Sequence, residues 1–265
     1  MTSSSWVRES VDMTIGDVEV SIDTLVVPGP DPVVFLHGFG STKEDYADFV
    51  RFPGLAGRGF VAYDAPGFGR SRASDSSRIT IDLLVDLAEA LTSRLGLERF
   101  DLVGHSMGGL TGLLLAERAP DRVRSFVDIE GNVAPEDCFL SRQILTHDDD
   151  SADEFLRRFA DRAFDADESS SALYASRVLS TVDPDVVRPV FESMVDLSDH
   201  GDLLSRMTGL SMPRTFMHGA QNAHLSYLPA LAESGVAVVQ IPHSGHWPMY
   251  ANPVAMWEAI AAGTS

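Results

Sequence analysis

One segment of the chain combines a hydroxyl side chain with closely spaced glycines: residues 104–108 read Gly-His-Ser-Met-Gly. The residues before it, 100–103, predict a short buried strand, and residues 109–116 predict an apolar helix. A Gly-x-Ser-x-Gly motif in this setting is typical of a tight turn that holds the serine hydroxyl at the top of a sheet. The glycines are needed because the turn brings backbone too close for larger side chains. Ser106 is therefore the candidate nucleophile.

The elements around Ser106 belong to a regular alternation of strands and helices. Residues 11–27 alternate between apolar and polar around a Gly-Asp turn, which predicts a β-hairpin. A continuous apolar run at 33–36 predicts a strand buried on both faces. Further strands are predicted at 60–63, 123–129, 214–217 and 236–241, and helices at 45–57, 83–95 and 255–260. This order predicts an α/β fold: a mostly parallel sheet flanked by helices, with right-handed crossovers.

The alternation stops near residue 132 and resumes near residue 210. Between them the sequence contains helical patches and many acidic residues but no convincing strand. We therefore predict a core domain made of residues 1–131 and 210–265, with a helical cap at 132–209 that lies over the ends of the strands. Three consecutive aspartates at 148–150 are expected to form a solvated loop, because adjacent carboxylates cannot converge on one metal ion.

Composition argues against several classes of partner and location. The 265 residues include 39 acidic and 20 basic side chains, which gives a formal net charge of −19. Such a surface repels nucleic-acid phosphates and anionic membranes, so neither is expected as a partner. The single cysteine, Cys138, excludes an intrachain disulfide and cysteine-based zinc sites. Residues 1–8 lack the apolar core of a signal peptide, and no run approaches the roughly 18 apolar residues that span a membrane. We expect a soluble, cytoplasmic protein that needs no metal or cofactor, and the sequence predicts no oligomeric state.

Four segments in this order resemble the α/β-hydrolase family. They are 37–40 (His-Gly-Phe-Gly), 64–71 (Asp-Ala-Pro-Gly-Phe-Gly-Arg-Ser), the motif at 104–108, and 245–248 (Gly-His-Trp-Pro). The resemblance covers nearly the whole chain outside residues 132–209. It implies the family's fold and a site of the serine-nucleophile, esterase- or lactonase-like type. It also implies a catalytic acid and histidine that follow the serine in that order.

The resemblance places the catalytic base late in the chain, where four histidines are candidates: His218, His224, His243 and His246. His246 lies just after the last predicted strand, in a loop that can carry its ring over the serine. A serine hydroxyl is a weak nucleophile at neutral pH and needs such a base. We predict His246 for this role, with His243 as the alternative. His105, beside the serine, is expected to point away from the catalytic face and to pack.

The acid position departs from the family pattern. Most members have an aspartate after the strand that here ends at Met217, but this chain has Asn222. An amide cannot balance the charge of an imidazolium, and an Asp-to-Asn change in a serine-protease triad lowers turnover about 10⁴-fold. Some branches, including certain haloalkane dehalogenases and lactonases, place a carboxylate after the preceding strand. We therefore predict Glu130, after the strand at 123–129, as the acid, in preference to Asp128 one pleat further down. The alternative for Glu130 is a structural ion pair or cap.

Main-chain groups complete the site that the resemblance implies. The oxyanion hole would use the N–H of Met107, after the nucleophile, and the N–H of Phe39, in the His-Gly loop. Losing one such donor costs about 10²–10³ in rate in known enzymes. The loop at 64–71 is expected to be structural, since it lacks the lysine and the context of a phosphate-binding loop.

These residues together predict a serine hydrolase of carboxylic esters, including lactones and thioesters. Ser106 attacks the carbonyl, His246 takes its proton, and Glu130 orients and balances the imidazole. A serine at this position argues against dehalogenase and epoxide-hydrolase chemistry, which need a carboxylate nucleophile. Carbon–carbon bond hydrolases and perhydrolases share these motifs and remain alternatives. Asn222 also leaves open a non-catalytic receptor that binds a small ligand.

Overall fold

The computed structural model describes residues 6–146 and 151–264. In this part of the chain nine strands form one sheet. They are β1 (Val7–Ile15), β2 (Val18–Val27), β3 (Val33–Leu36), β4 (Phe60–Tyr63), β5 (Arg72–Ala73), β6 (Phe100–His105), β7 (Val123–Ile129), β8 (Arg214–Gly219) and β9 (Ala237–Ile241). The order across the sheet is β1-β2-β4-β3-β6-β7-β8-β9, and β5 pairs with β2.

Helices connect and flank these strands. The α-helices are α1 (Ile81–Arg94), α2 (Met107–Arg118), α3 (Ala152–Phe164), α4 (Ser169–Thr181), α5 (Val187–His200), α6 (Leu203–Gly209), α7 (Leu228–Glu233), α8 (Pro248–Ala251) and α9 (Pro253–Gly263). Short 3₁₀ segments are Lys43–Arg51, Pro53–Leu55, Ser76–Arg78, Pro135–Cys138, Ser141–Thr146, Pro184–Val186 and Ala220–Asn222. Within the described residues, no helix has the length and apolar character needed to cross a lipid bilayer.

The sheet is mostly parallel, which confirms the predicted α/β class. The pairings β2 with β1, β4 and β5 are antiparallel, and every pairing from β4 through β9 is parallel. Because the parallel strands run in the same direction, the loops after β3, β6, β7, β8 and β9 meet at one edge. This edge is where ligands bind in open α/β sheets.

Helix α2 packs closely on the sheet next to this edge. The glycines of α2 lie directly against the strands, so that a side-chain carbon at Gly112 would collide with the Phe126 ring. Apolar residues such as Leu110 and Leu113 are fully buried. β3 and β6 are also buried along their length, which explains their continuous apolar sequences.

The segment predicted as a helix at 45–57 is a pair of 3₁₀ turns, Lys43–Arg51 and Pro53–Leu55. Phe52 between them is extended. Proline at position 53 explains the break, because its ring disfavours helical backbone at the preceding residue. Phe52 packs on Trp257 of α9, at a ring distance of 5.9 Å.

In the described residues between β7 and β8, 132–146 and 151–209, the regular elements are helices joined by loops, and an isolated bridge pairs Val182 with Phe68. Helix α4 from this insertion contacts the loops of the sheet edge. Thr181 Oγ1 donates to the Gly40 carbonyl at 2.9 Å, and Gly69 N–H donates to the Thr181 carbonyl at 2.7 Å. The division into a core and a cap domain at 132 and 209 stays a prediction. The aspartates at 148–150, predicted as a solvated loop, lie outside the described residues.

Candidate active site

Ser106 occupies a strained turn between β6 and α2. Its backbone has φ 51° and ψ −117°, a conformation that residues other than glycine rarely adopt. Side chains at the flanking glycines would collide with backbone: a Cβ at Gly104 would meet the Gly108 carbonyl, and one at Gly108 would meet that of Leu36. The Ser106 N–H donates to the Ile129 carbonyl at 3.0 Å. The spacing of the glycines is therefore a steric requirement of this turn.

Glu130 and His246 are brought together from opposite ends of the sequence. His246 Nδ1 lies 2.8 Å from Glu130 Oε2, and the two side chains are 14% and 6% exposed. Glu130 directly follows β7 and has φ 49°, so the chain turns sharply at this residue. Its N–H still donates to the Met217 carbonyl of β8 at 3.0 Å, which anchors the turn to the sheet.

Asn222, at the family's usual acid position, binds Glu130. Its amide Nδ2 donates to both carboxylate oxygens, at 3.0 Å to Oε1 and 2.8 Å to Oε2. The Gly219 N–H donates to Oε1 at 2.6 Å. This contact between Asn222 and Glu130 was not predicted from the sequence, where Asn222 counted as an amide that cannot balance the charge of the imidazolium. The available signal was its place after β8, which put it beside any acid after β7.

The environment keeps Glu130 ionised. Burial alone would raise its pKa, but the hydrogen bond and positive charge of His246, with the donors from Gly219 and Asn222, hold the pKa at about 2. A carboxylate that stays charged at neutral pH can stabilise an imidazolium formed on His246. The alternative for Glu130, a structural ion pair or cap, would need other partners: in the described structure its carboxylate binds Gly219 at the end of β8, Asn222 after β8 and His246 after β9.

His105 has a more specific contact than the predicted packing. It is buried, as expected, but its Nε2 lies 2.8 Å from the His246 carbonyl, and the two rings are 4.9 Å apart. Because a carbonyl only accepts, Nε2 must carry the proton, and among the described residues Nδ1 has no hydrogen-bond partner. Burial, together with the nearby His246, lowers the pKa of His105 to about 3. A neutral His105 therefore supports the backbone of the His246 loop.

Ser106, Glu130 and His246 line one small cavity of about 40 Å³. In the described part of the chain no hydrogen bond joins Ser106 Oγ to the His246 ring. Such contacts in enzymes without substrate are often long and tighten only in the complex. The remaining lining residues are Phe39, His105, Asn132, Asp137, Phe139, Leu140, Ser141, Phe159, Tyr174, Phe191, Met194 and Trp247.

Of the two predicted oxyanion donors, Met107 directly follows Ser106 and Phe39 lines the same cavity as Ser106. Met107 begins α2, so its N–H is one of the N-terminal donors that have no acceptor within the helix. Phe39 lies in the loop after β3, and its ring packs 4.3 Å from that of Phe191. Tyr174 of α4 donates its hydroxyl to the Phe39 carbonyl at 2.9 Å. No sequence pattern pointed to Tyr174, because its partner lies 135 residues away.

The loop at 64–71 has the contacts of a structural element. The Asp64 carboxylate accepts from the buried Lys43 ammonium at 2.7 Å and from the Arg70 N–H at 2.9 Å. The Ala65 N–H donates to His37 Nε2 at 2.9 Å, which ties this loop to the one carrying Phe39.

The other candidate histidines lie away from the cavity. His218 is buried on β8 with its Nδ1 2.9 Å from the Gly219 carbonyl, while His224 and His243 are exposed. Asp128 is fully buried beneath the turn, where its Oδ1 accepts from the Gly131 N–H at 2.7 Å. Of the late histidines, only His246 is paired with a carboxylate in the described structure. The catalytic roles of Ser106, His246, Glu130, Phe39 and Met107 stay predictions.

A model of the alpha/beta hydrolase family matches residues 33–259. The chain belongs to the α/β-hydrolase family. It is 38% identical over 98 residues to 2-hydroxymuconate semialdehyde hydrolase of Pseudomonas sp. strain CF600. The aligned residues make up 36% of this chain and 35% of that protein. Alignments with three curated relatives span only 26%, 35% and 37% of those proteins' lengths.

Solved structures extend the similarity to the whole fold. A structure from work on carboxylesterases of Nitrososphaera gargenis has a TM-score of 0.76 at 15% identity, and covers 96% of this chain and 97% of its own. An enol-lactonase of Burkholderia xenovorans LB400 has a TM-score of 0.72 at 20% identity, and covers 95% and 98%. At identities this low, the structural similarity shows a common fold and nothing more. The chain is therefore an α/β-hydrolase by fold as well as by its match to the family model.

Proposed function

We propose that the protein is a serine hydrolase of carboxylic esters, with Ser106 as nucleophile, His246 as base and Glu130 as acid. The observation that carries the proposal is the Glu130–His246 pair at 2.8 Å, on the wall of the cavity that Ser106 also lines. The strained backbone at Ser106 supports it further, because such strain is concentrated at functional sites.

The orientation of the His246 ring supports its role as the base. Nδ1 faces a carboxylate that only accepts, so Nδ1 carries the proton and the neutral ring has a free lone pair on Nε2. Ser106 Oγ attacks the ester carbonyl carbon while Nε2 takes the hydroxyl proton. The tetrahedral intermediate then breaks its bond to the alkoxy oxygen, and Nε2 returns the proton to the departing alcohol.

Water completes the cycle by the same route. It attacks the acyl carbon of the Ser106 ester and gives one proton to His246 Nε2. Breaking the acyl–serine bond releases the carboxylic acid, and the proton returns to Ser106 Oγ. The N–H groups of Phe39 and Met107 would stabilise the oxyanion in both halves of this cycle.

The contacts of Asn222 weigh against the receptor hypothesis. That hypothesis rested on a missing acid, but Glu130 occupies the acid's place beside His246 and Asn222 binds Glu130. The helices at 132–209 are proposed to act as a cap, since Phe139, Phe159 and Phe191 from this segment line the cavity with Ser106.

Carbon–carbon bond hydrolysis is the second candidate. It is favoured by the similarity to 2-hydroxymuconate semialdehyde hydrolase, while the esterase and lactonase structures share the fold alone. The same serine, base and oxyanion donors serve either reaction. The two candidates differ in the charge of the substrates they would need, and the cavity walls carry acidic side chains.

A serine-directed probe tests the proposal. Wild-type protein is expected to react with a fluorophosphonate and to hydrolyse p-nitrophenyl acetate. Ser106→Ala should abolish labelling and lower kcat by about 10⁶-fold, the size seen when subtilisin loses its serine. Ser205→Ala, an exposed serine on α6, serves as the matched control and should behave as wild type.

Two results would contradict the proposal. One is a Ser106→Ala variant that retains esterase activity, which would place the nucleophile elsewhere. The other is a folded wild-type protein that neither reacts with the probe nor hydrolyses any ester, which would favour a receptor.

A further inference from the structure

Two cavities of different size meet at His246. The first, of about 40 Å³, contains Ser106 and Phe39; the second, of about 370 Å³, does not. Both are lined by Glu130, Asp137, Phe139 and His246. The remaining lining residues of the second are Glu136, Asn222, His224, Leu225 and Tyr227.

If Ser106 is the nucleophile, the two cavities receive different parts of the substrate. The acyl part becomes bonded to Ser106, so it belongs in the cavity that contains Ser106. The alcohol part is protonated and released by His246, which faces both cavities. The acyl cavity is small, well below the roughly 150 Å³ of a protein cavity that holds benzene. The fit therefore favours a short acyl group and a larger alcohol.

The acidic walls of both cavities disfavour anionic substrates. Among the described lining residues of both cavities none is a lysine or an arginine, whereas Glu130, Glu136 and Asp137 are acidic. Burial raises the pKa of Asp137 to about 6, even though two N–H groups and the Tyr227 hydroxyl donate to it. A site that already disfavours one carboxylate would disfavour a second, unpaired one still more.

Two residues that line the acyl cavity have a side-chain polar atom with no hydrogen-bond partner within the described chain, His105 Nδ1 and Ser141 Oγ. Ser141 lines the cavity and is 3% exposed, and its Oγ makes no hydrogen bond. A buried hydroxyl that lacks a partner is unfavourable, because it has lost its hydrogen bonds to water without replacing them. Apolar side chains, including Phe159, Phe191 and Met194, form other parts of the wall. His105 Nδ1 carries no proton and can only accept, whereas the Ser141 hydroxyl can also donate, so Ser141 is the residue that can bind a ligand oxygen.

We propose that the acyl cavity selects short, uncharged acyl groups bearing a hydroxyl or ether oxygen, and that Ser141 recognises this oxygen by a hydrogen bond. This inference rests on the proposed esterase function and adds its substrate class. It separates this protein from hydrolases of dicarboxylic substrates, whose carboxylates would find no cationic partner here.

Three phenyl esters that share a leaving group test the inference. Phenyl propionate is apolar, phenyl glycolate replaces the terminal methyl with a hydroxyl, and the phenyl monoester of malonate carries a carboxylate. For each ester kcat/KM is divided by the rate constant of its reaction with hydroxide, which removes differences in intrinsic reactivity. Wild type should favour glycolate over the malonate monoanion by at least about 100-fold.

The decisive variant is Ser141→Ala. It should lower kcat/KM for phenyl glycolate about 10-fold and leave that for phenyl propionate within about 2-fold. Ser170→Ala is the matched control, because Ser170 Oγ is also buried and unpaired but lines neither cavity. It should not change the ratio of the two activities.

The inference is overturned if Ser141→Ala lowers both activities equally, which indicates a structural effect, or if the malonate monoanion is the better substrate. Either result leaves the esterase proposal intact as long as phenyl propionate is hydrolysed through Ser106. Failure to hydrolyse any of the three esters overturns this inference, and it overturns the esterase proposal as well only if the protein also fails to react with the fluorophosphonate and with p-nitrophenyl acetate.

Discussion

The ends of β7 and β8 lie side by side in the sheet, and each places a polar side chain near His246. The residue after β7 is Glu130, a carboxylate in direct contact with the imidazole. Three residues after β8 is Asn222, an amide that contacts the carboxylate. Asn222 stands where most family members have the charged aspartate. In this chain it instead donates hydrogen bonds to Glu130, the carboxylate that follows the neighbouring strand.

The two strand ends also differ in how tightly their residues are packed. The turn at Glu130 is buried, and Gly131 is held by the Asp128 carboxylate at 2.7 Å. Side-chain carbons at Gly109 or Gly131 would collide with that carboxylate, so helix, turn and strand are tightly packed. Asn222 ends a short 3₁₀ turn in which no residue is buried. The charge therefore lies at the better packed of the two ends, where its position is closely defined.

The largest effect in this comparison is expected from Glu130→Gln. It preserves shape and removes the charge, so kcat/KM for a short p-nitrophenyl ester should fall about 10⁴-fold, the size seen for the Asp-to-Asn change in a serine-protease triad. Glu233→Gln, an exposed carboxylate at the end of α7, is the control and should match wild type. Full activity in Glu130→Gln, with the fold verified by circular dichroism, would refute the assignment of the acid.

His105 contacts the residue that Glu130 pairs with, because its ring binds the backbone carbonyl of His246. Its pKa of about 3 lies below the unfolded value near 6.5, so between these pH values the unfolded chain binds the extra proton. The free energy of unfolding should therefore fall on acidification, with His105 contributing about 1.4 kcal/mol per pH unit near pH 4–5.5. His105→Gln retains a donor for the His246 carbonyl but cannot titrate.

Urea denaturation from pH 4 to pH 7 measures this contribution. The slope of unfolding free energy against pH should be smaller in His105→Gln than in wild type. An unchanged slope would mean that His105 is not held neutral in the folded protein.

Much of the fold and site could be predicted from the sequence, because the relevant signals are local. The glycines around Ser106 are required because side chains there would collide with backbone. The apolar sequences of β3 and β6 follow from the burial of those two strands. Glu130 was predicted from its place after a strand together with the resemblance to family branches that have a carboxylate there, and the structure places it against His246.

Other features depend on contacts between distant segments. Asn222 and Glu130 are 92 residues apart, His105 and His246 are 141 apart, and Tyr174 reaches Phe39 across 135. Each contact is created by the stacking order of strands or by the docking of α4. A single sequence carries no local pattern for any of them.

The central claim is that Asn222 acts through Glu130, and a double-mutant cycle on esterase activity tests it most directly. Asn222→Ala alone should lower kcat/KM about 10-fold, equivalent to about 1.4 kcal/mol, because Gly219 and His246 still bind the carboxylate. In the Glu130→Gln background, Asn222→Ala should change kcat/KM by less than about 2-fold, since the charge it supports is gone. A further 10-fold loss in that background would contradict the account, because Asn222 would then support catalysis independently of Glu130.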